Sequence, residues 1–147
     1  MYDAGSINIF GTTIHEIAHS THAANAIFIF PVAEKRMRET YAETIEWYLT
    51  TKYYVQRNPN FIYQKNLQTK TPTEDPVYTS FMVDLIDDVN QRDNGPQFPI
   101  DNVEGYSMRQ IENMVMNNAT FTGFKYDLKR VYNNSTEGYL DQLRNNW

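Results

Sequence analysis

Apolar positions along this chain recur mostly at helical spacing, and the breaks between the helical stretches are marked by proline, glycine and asparagine. Near the start, "SINIF" (Ser6–Phe10) reads as a short strand before Gly11. From Thr12 the pattern turns helical: Thr12 and Thr13 are good caps, and Thr13-x-x-Glu16 matches a capping box. At about 100° per residue, Ile14, Ile17, Thr21 and Ala24 share one side of this helix. His15, His19 and His22 share the other. The pattern therefore predicts an aliphatic side turned to a core and a histidine side turned to a cleft.

An apolar connector, "IFIFP" (Ile27–Pro31), follows, with Pro31 suited to the first turn of a second helix. That helix is expected from Val32 to about Arg57, where Asn58-Pro59-Asn60 stops it. Met37, Tyr41, Ile45, Tyr48 and Leu49 form its buried side, and Glu39, Glu43 and Glu46 lie opposite. Phe61–Asp75 reads as a polar loop, Pro76–Gln91 as a third helix and Arg92–Gly105 as a long loop. Three shorter helices are expected from Ser107, from about Thr120 and from Ser135, with Ser135 as the cap of the last. The expected fold is mainly α, with little or no sheet.

Composition narrows this further. A chain of 147 residues, 41% hydrophobic and 21% charged, suits one globular domain and not a disordered segment. The net charge of -5, with no Lys/Arg cluster interleaved with aromatics, argues against a nucleic-acid partner. No apolar run approaches the roughly 20 residues of a membrane span. There is no cysteine, so a metal would have to be held by histidine and carboxylate. "MYDAGSINIF" lacks the features of a signal peptide and precedes the most chemically loaded segment by only a few residues. Residues 1–147 are accordingly expected to be one domain, the C-terminal, helical part of a longer parent.

All three histidines fall within "HEIAHSTH", His15–His22. "HEIAH" is H-E-x-x-H, a pattern expected by chance in such a histidine-poor chain at a frequency on the order of 1% or less. Residues i and i+4 on a helix lie one turn apart, so two imidazoles can reach one zinc ion. Glu16, beside the first of them, can take a proton from water and pass it to a leaving amine. That chemistry is metal-assisted hydrolysis, usually of a peptide bond.

A third protein ligand is needed. The arrangement H-E-x-x-H-x-x-G-x-x-H would require glycine at position 22 and histidine at position 25, where the chain has His22 and Asn25. With no histidine left, the ligand is expected to be a carboxylate, and Glu39, Glu43 and Glu46 all lie on a suitable face. Taken alone, that acidic stripe reads equally as a solvated helix surface. His22 lies on the ligand side, too close in sequence to complete the usual site. Asp84, Asp87 and Asp88 read as a solvated acidic helix.

"HEIAH" followed by "ETYAE" (Glu39–Glu43) resembles the gluzincin metallopeptidases, which include thermolysin-like proteases and zinc aminopeptidases. Nineteen residues (20–38) separate His19 from Glu39, which suits that group. "TTIHEIAHSTH", "ETYAETIEWYLT" and "FMVDLIDDVNQ" more closely resemble zinc-dependent metallopeptidase-like proteins of Bacteroides-type gut bacteria, many of them exported lipoproteins. The resemblance implies a zincin-like helical lobe, His15, His19 and Glu39 as zinc ligands, Glu16 as general base and a peptide or protein substrate. It also implies a carboxylate that fixes the tautomer of a ligand histidine, for which Glu43 is the candidate, and an oxyanion-stabilising tyrosine. Tyr106 is the first choice for that tyrosine and Tyr53 the second; His22 is expected to line the cleft. Two other readings stand beside this one: a non-catalytic helical binding domain that keeps the metal for structure, and a hydrolase acting on a non-peptide amide. Gluzincins normally carry a sheet before the motif helix, and this chain offers only "SINIF" there.

Overall fold

The computed structural model describes residues 3–63 and 77–147. Six α-helices carry the fold and, among the described residues, no strand forms. They are α1 (Ala4–Asn25), α2 (Lys35–Val55), α3 (Phe81–Asp84), α4 (Met108–Asn117), α5 (Phe121–Val131) and α6 (Leu140–Asn146).

The expected strand at Ser6–Phe10 is the first two turns of α1. Asp3 is the reason: its carboxylate accepts from the Ser6 N–H at 2.9 Å and from the Ser6 hydroxyl at 2.6 Å, capping the helix nine residues before Thr12. Thr13 is then interior and caps nothing; its hydroxyl donates to the Ile9 carbonyl at 2.8 Å. The expected orientation of α1 is also reversed. Its buried residues are Gly11, His15, Ala18 and His22, while Ile17, Thr21 and Ala24 are exposed and Ile14 is half-buried. Small residues at 11 and 18 let α2 approach closely, and α2 brings the carboxylates and rings that make it favourable to bury imidazoles.

α1 and α2 run antiparallel, as paired contacts show: Phe10 with Tyr54, His15 with Glu46, His19 with Glu39, His22 with Tyr41. On α2, Met37 and Tyr41 enter the main core as expected, Ile45 and Tyr48 are half-buried and Leu49 is exposed. Glu46, expected on a polar face, is buried toward α1. The polar loop expected at Phe61–Asp75 is described only as far as Tyr63; the rest lies outside the described residues.

Of the helix expected over Pro76–Gln91, only Phe81–Asp84 forms, Pro76 itself lying outside the described residues. Asp87 ends the run by accepting from the Val89 N–H at 2.9 Å, and Asn90 accepts from Arg92 N–H at 3.0 Å. Asp84 is not solvated. It is fully buried, and its two oxygens accept from the Gln91 amide at 2.6 Å and the Trp147 indole at 2.5 Å, pinning the last residue to α3. Burial, with Asp101 and Asp87 nearby, holds the Asp84 carboxyl well above the usual carboxylate range.

The C-terminal helices follow their sequence signals more closely. Ser107 and Gln110 form a reciprocal capping box on α4, and Thr120 caps α5. Ser135 caps nothing; the chain enters α6 through a 3₁₀ turn at Glu137–Tyr139. α2 to α6 close over one apolar cluster that includes Met37, Phe81, Ile111, Phe124 and Leu143. The α1–α2 hairpin stands against it, leaving the histidine cluster between the two long helices.

Candidate metal centre

His15 and His19 lie one turn apart on the buried side of α1, and Glu39 faces them from the first turns of α2. His15 Nε2 is 3.1 Å from His19 Nε2 and 3.4 Å from Glu39 Oε2, and His19 Nε2 is 3.1 Å from the same oxygen. These atoms form a nearly equilateral triangle. Tetrahedral ligands placed about 2.0–2.1 Å from one zinc ion stand about 3.3–3.4 Å from each other. The donors are therefore already spaced for a small divalent cation. Their chemistry agrees: two imidazole nitrogens and a carboxylate oxygen are the nitrogen and oxygen ligands that a catalytic zinc site takes.

Burial grades across the site. The side chain of His15 is 10% exposed, that of Glu39 14% and that of His19 22%, so the cluster opens toward solvent on the His19 side. Burial opposes a charged His15 ring, but Glu46, Glu43 and Glu39 outweigh it and raise its pKa above the ordinary histidine value. On its far side, His15 Nδ1 lies 3.3 Å from Glu46 Oε2. Glu46 in turn accepts from the Tyr63 hydroxyl at 2.5 Å.

No known protein family, curated protein or solved structure matches this chain. The site therefore stands on its own geometry.

The structure brings together His15, His19 and Glu39, with Glu43 and Glu46 around His15. It places the remaining candidates as follows. Glu16 leaves the buried side of α1, and its exposed side chain borders a shallow groove with Ile9, Thr12, Thr13, Ile17 and Ser20. Its carboxylate has no hydrogen bond or ion pair among the described residues. His22 does not line a cleft: it is fully buried, edge-on to the rings of Phe30 and Tyr41 at 5.0 and 5.2 Å. Neither of its nitrogens has a partner among the described residues. Tyr106 is embedded in the core cluster, where its backbone N–H donates to Leu85, and it is not among the residues gathered at the histidines. Burial, with the Glu137 charge adding, pushes its phenol up to about 12. Tyr53 stacks on Phe10 at the other end of the hairpin and carries Arg57 over its ring.

Three residues near the cluster were not singled out for these positions from sequence. Glu46 sits two turns beyond Glu39, on the same helix face, and that spacing was visible. Tyr63 arrives from beyond the end of α2, and no local pattern announces it. The Tyr78 ring lies 6.1 Å from the His15 ring.

Proposed function

We propose that this chain is the zinc-bearing, zincin-like helical lobe of a gluzincin-type metallopeptidase, with His15, His19 and Glu39 as the metal ligands. The observation that carries this reading is the 3.1–3.4 Å triangle of two imidazole nitrogens and one carboxylate oxygen, on a helix whose motif is H-E-x-x-H. Among the described residues only three histidine or carboxylate side chains converge on that point, and the cluster is open on one side, which favours a reactive site over a closed structural one. Two neighbours stay outside the triangle: His22 is buried among rings, and Glu43 groups with Glu46 around His15.

Zinc bound at such a set supplies Lewis acidity and brings the pKa of water toward 7. The chain's own residues do the rest. Glu16, exposed and adjacent to His15, takes the proton of the attacking water and delivers it to the amine that leaves. Glu39 offsets positive charge at the ligand cluster. Tyr78, alongside His15, takes the oxyanion-stabilising role that the sequence assigned to Tyr106.

The test is metal analysis of protein purified without chelator, paired with hydrolysis of a fluorescent casein. The reading expects about one zinc per chain, and Glu16→Gln that keeps the zinc but loses at least about 100-fold in rate. Protein free of stoichiometric zinc overturns it. Zinc retained without hydrolysis by the wild type supports the structural-metal binding domain instead.

A further inference from the structure

The histidine cluster has a support on its far side that the sequence placed elsewhere. Glu46 is buried, and both of its carboxylate oxygens are committed: Oε2 lies 3.3 Å from His15 Nδ1, and Oε1 accepts from the Tyr63 hydroxyl at 2.5 Å. Tyr63 is itself only 3% exposed, and its ring stacks on Phe61, which stacks on Tyr54 of α2. Burial and the Glu46 carboxylate push the Tyr63 phenol above its ordinary value, so it remains a donor.

Gly11 lies one turn before His15 on the same side of α1, and it explains how these groups fit. A Cβ at that position would run into the Tyr63 hydroxyl oxygen and stand 2.8 Å from Glu46 Oε1, closer than side-chain carbons approach oxygen. A glycine inside a 22-residue helix costs stability relative to alanine, so its presence here marks a close approach. What approaches is the hydrogen bond between Tyr63 and Glu46.

We infer that Tyr63 and Glu46 form a hydrogen-bonded relay beneath His15, admitted by Gly11, that holds the ring proton on Nδ1 and presents Nε2 to the ligand triangle. The metal-binding part of this inference rests on the function proposed above; the tautomer part does not. Glu46 and Tyr63 are positioning residues, acting through His15. Glu43, the residue expected from sequence to orient a ligand histidine, also lies near His15 and adds its charge there. Holding one tautomer matters because a neutral imidazole offers one lone pair, and only the Nε2 lone pair faces His19 and Glu39.

Two measurements on the whole chain test this. The first is long-range ¹H–¹⁵N NMR of the metal-free protein above the titration range of His15, which reads the ring tautomer directly. The wild type should show His15 with the proton on Nδ1, while Glu46→Gln should lose that preference. The second is zinc competition against a chromophoric chelator, read beside urea stability of the metal-free forms. Glu46→Gln should weaken zinc binding about 10–100-fold. Tyr63→Phe should weaken it by a smaller factor, and Gly11→Ala should reproduce the Glu46→Gln loss. A wild-type His15 protonated on Nε2 overturns the inference, as does wild-type zinc affinity in both Glu46→Gln and Tyr63→Phe. A wild type that binds no zinc overturns the proposed function, and the NMR result still decides the relay.

Discussion

Replacing His22 with leucine should make the metal-free protein more resistant to acid. His22 is fully buried, packed between the Phe30 and Tyr41 rings, with no hydrogen-bond partner among the described residues for either nitrogen. Burial, reinforced by the neighbouring His19 and Arg38, lowers its pKa from 6.5 to about 4. The sign follows from linkage. The unfolded ring takes its proton as pH falls through 6.5, the folded ring only near 4, so folding loses stability across that window as pH falls. Between pH 7 and pH 5 the loss is about 2 kcal/mol, and it is absent in the leucine variant. Asp87, whose carboxyl is pushed up to about 7 by burial, and Asp101, raised mainly for the same reason, act in the opposite sense in both proteins. They cancel when the two stability curves are subtracted. Urea denaturation with EDTA present, at pH 7, 6 and 5, measures the difference. At pH 7 the leucine variant should be at least as stable as wild type, because a buried unpartnered imidazole is replaced by a similar volume of carbon. At pH 5 its advantage should grow by about 2 kcal/mol. Curves that fall in parallel, within about 0.5 kcal/mol, would show that His22 is hydrated or paired in solution and would refute the argument.

Three further outcomes are expected. Asp84→Ala should cost about 2–4 kcal/mol in urea denaturation, since it strands the Gln91 amide and the Trp147 indole in the core; a cost below about 1 kcal/mol would contradict that pairing. Tyr78→Phe should leave zinc stoichiometry and KM for a peptide substrate near wild type while lowering kcat about 10-fold or more; an unchanged kcat removes Tyr78 from the reaction. Zinc at 100 times its Kd should stabilise the wild type by about 2.7 kcal/mol, and Glu39→Gln should lose most of that gain at the same zinc concentration; an equal gain in both would take Glu39 out of the ligand set.

The parts of this molecule that were legible in sequence are those set by local spacing. His15 and His19 on one helix turn, the glutamate side of α2, and the starts of α4 and α5 all follow from intervals of three or four residues. The errors share a cause, which is that burial depends on partners distant in the chain. The histidine side of α1, expected to face a cleft, is largely buried because α2 supplies Glu39, Glu46 and Tyr41 to meet it. Asp84 looked like one of a solvated acidic trio until Trp147, 63 residues away, donated to it. Tyr63 could not be distinguished from ten other tyrosines by sequence, because its role depends on how the chain turns back after α2. Ser6–Phe10 is helical and not a strand for a local reason: Asp3 is a stronger helix start than Thr12.

The central claim is that His15, His19 and Glu39 together hold one divalent metal ion. A crystal structure of zinc-replete protein, with anomalous data collected on both sides of the zinc absorption edge, tests it most directly. The account predicts one strong anomalous peak about 2.0–2.2 Å from His15 Nε2, His19 Nε2 and a Glu39 carboxylate oxygen. Zinc found elsewhere, or no peak at these three atoms under saturating zinc, would contradict it.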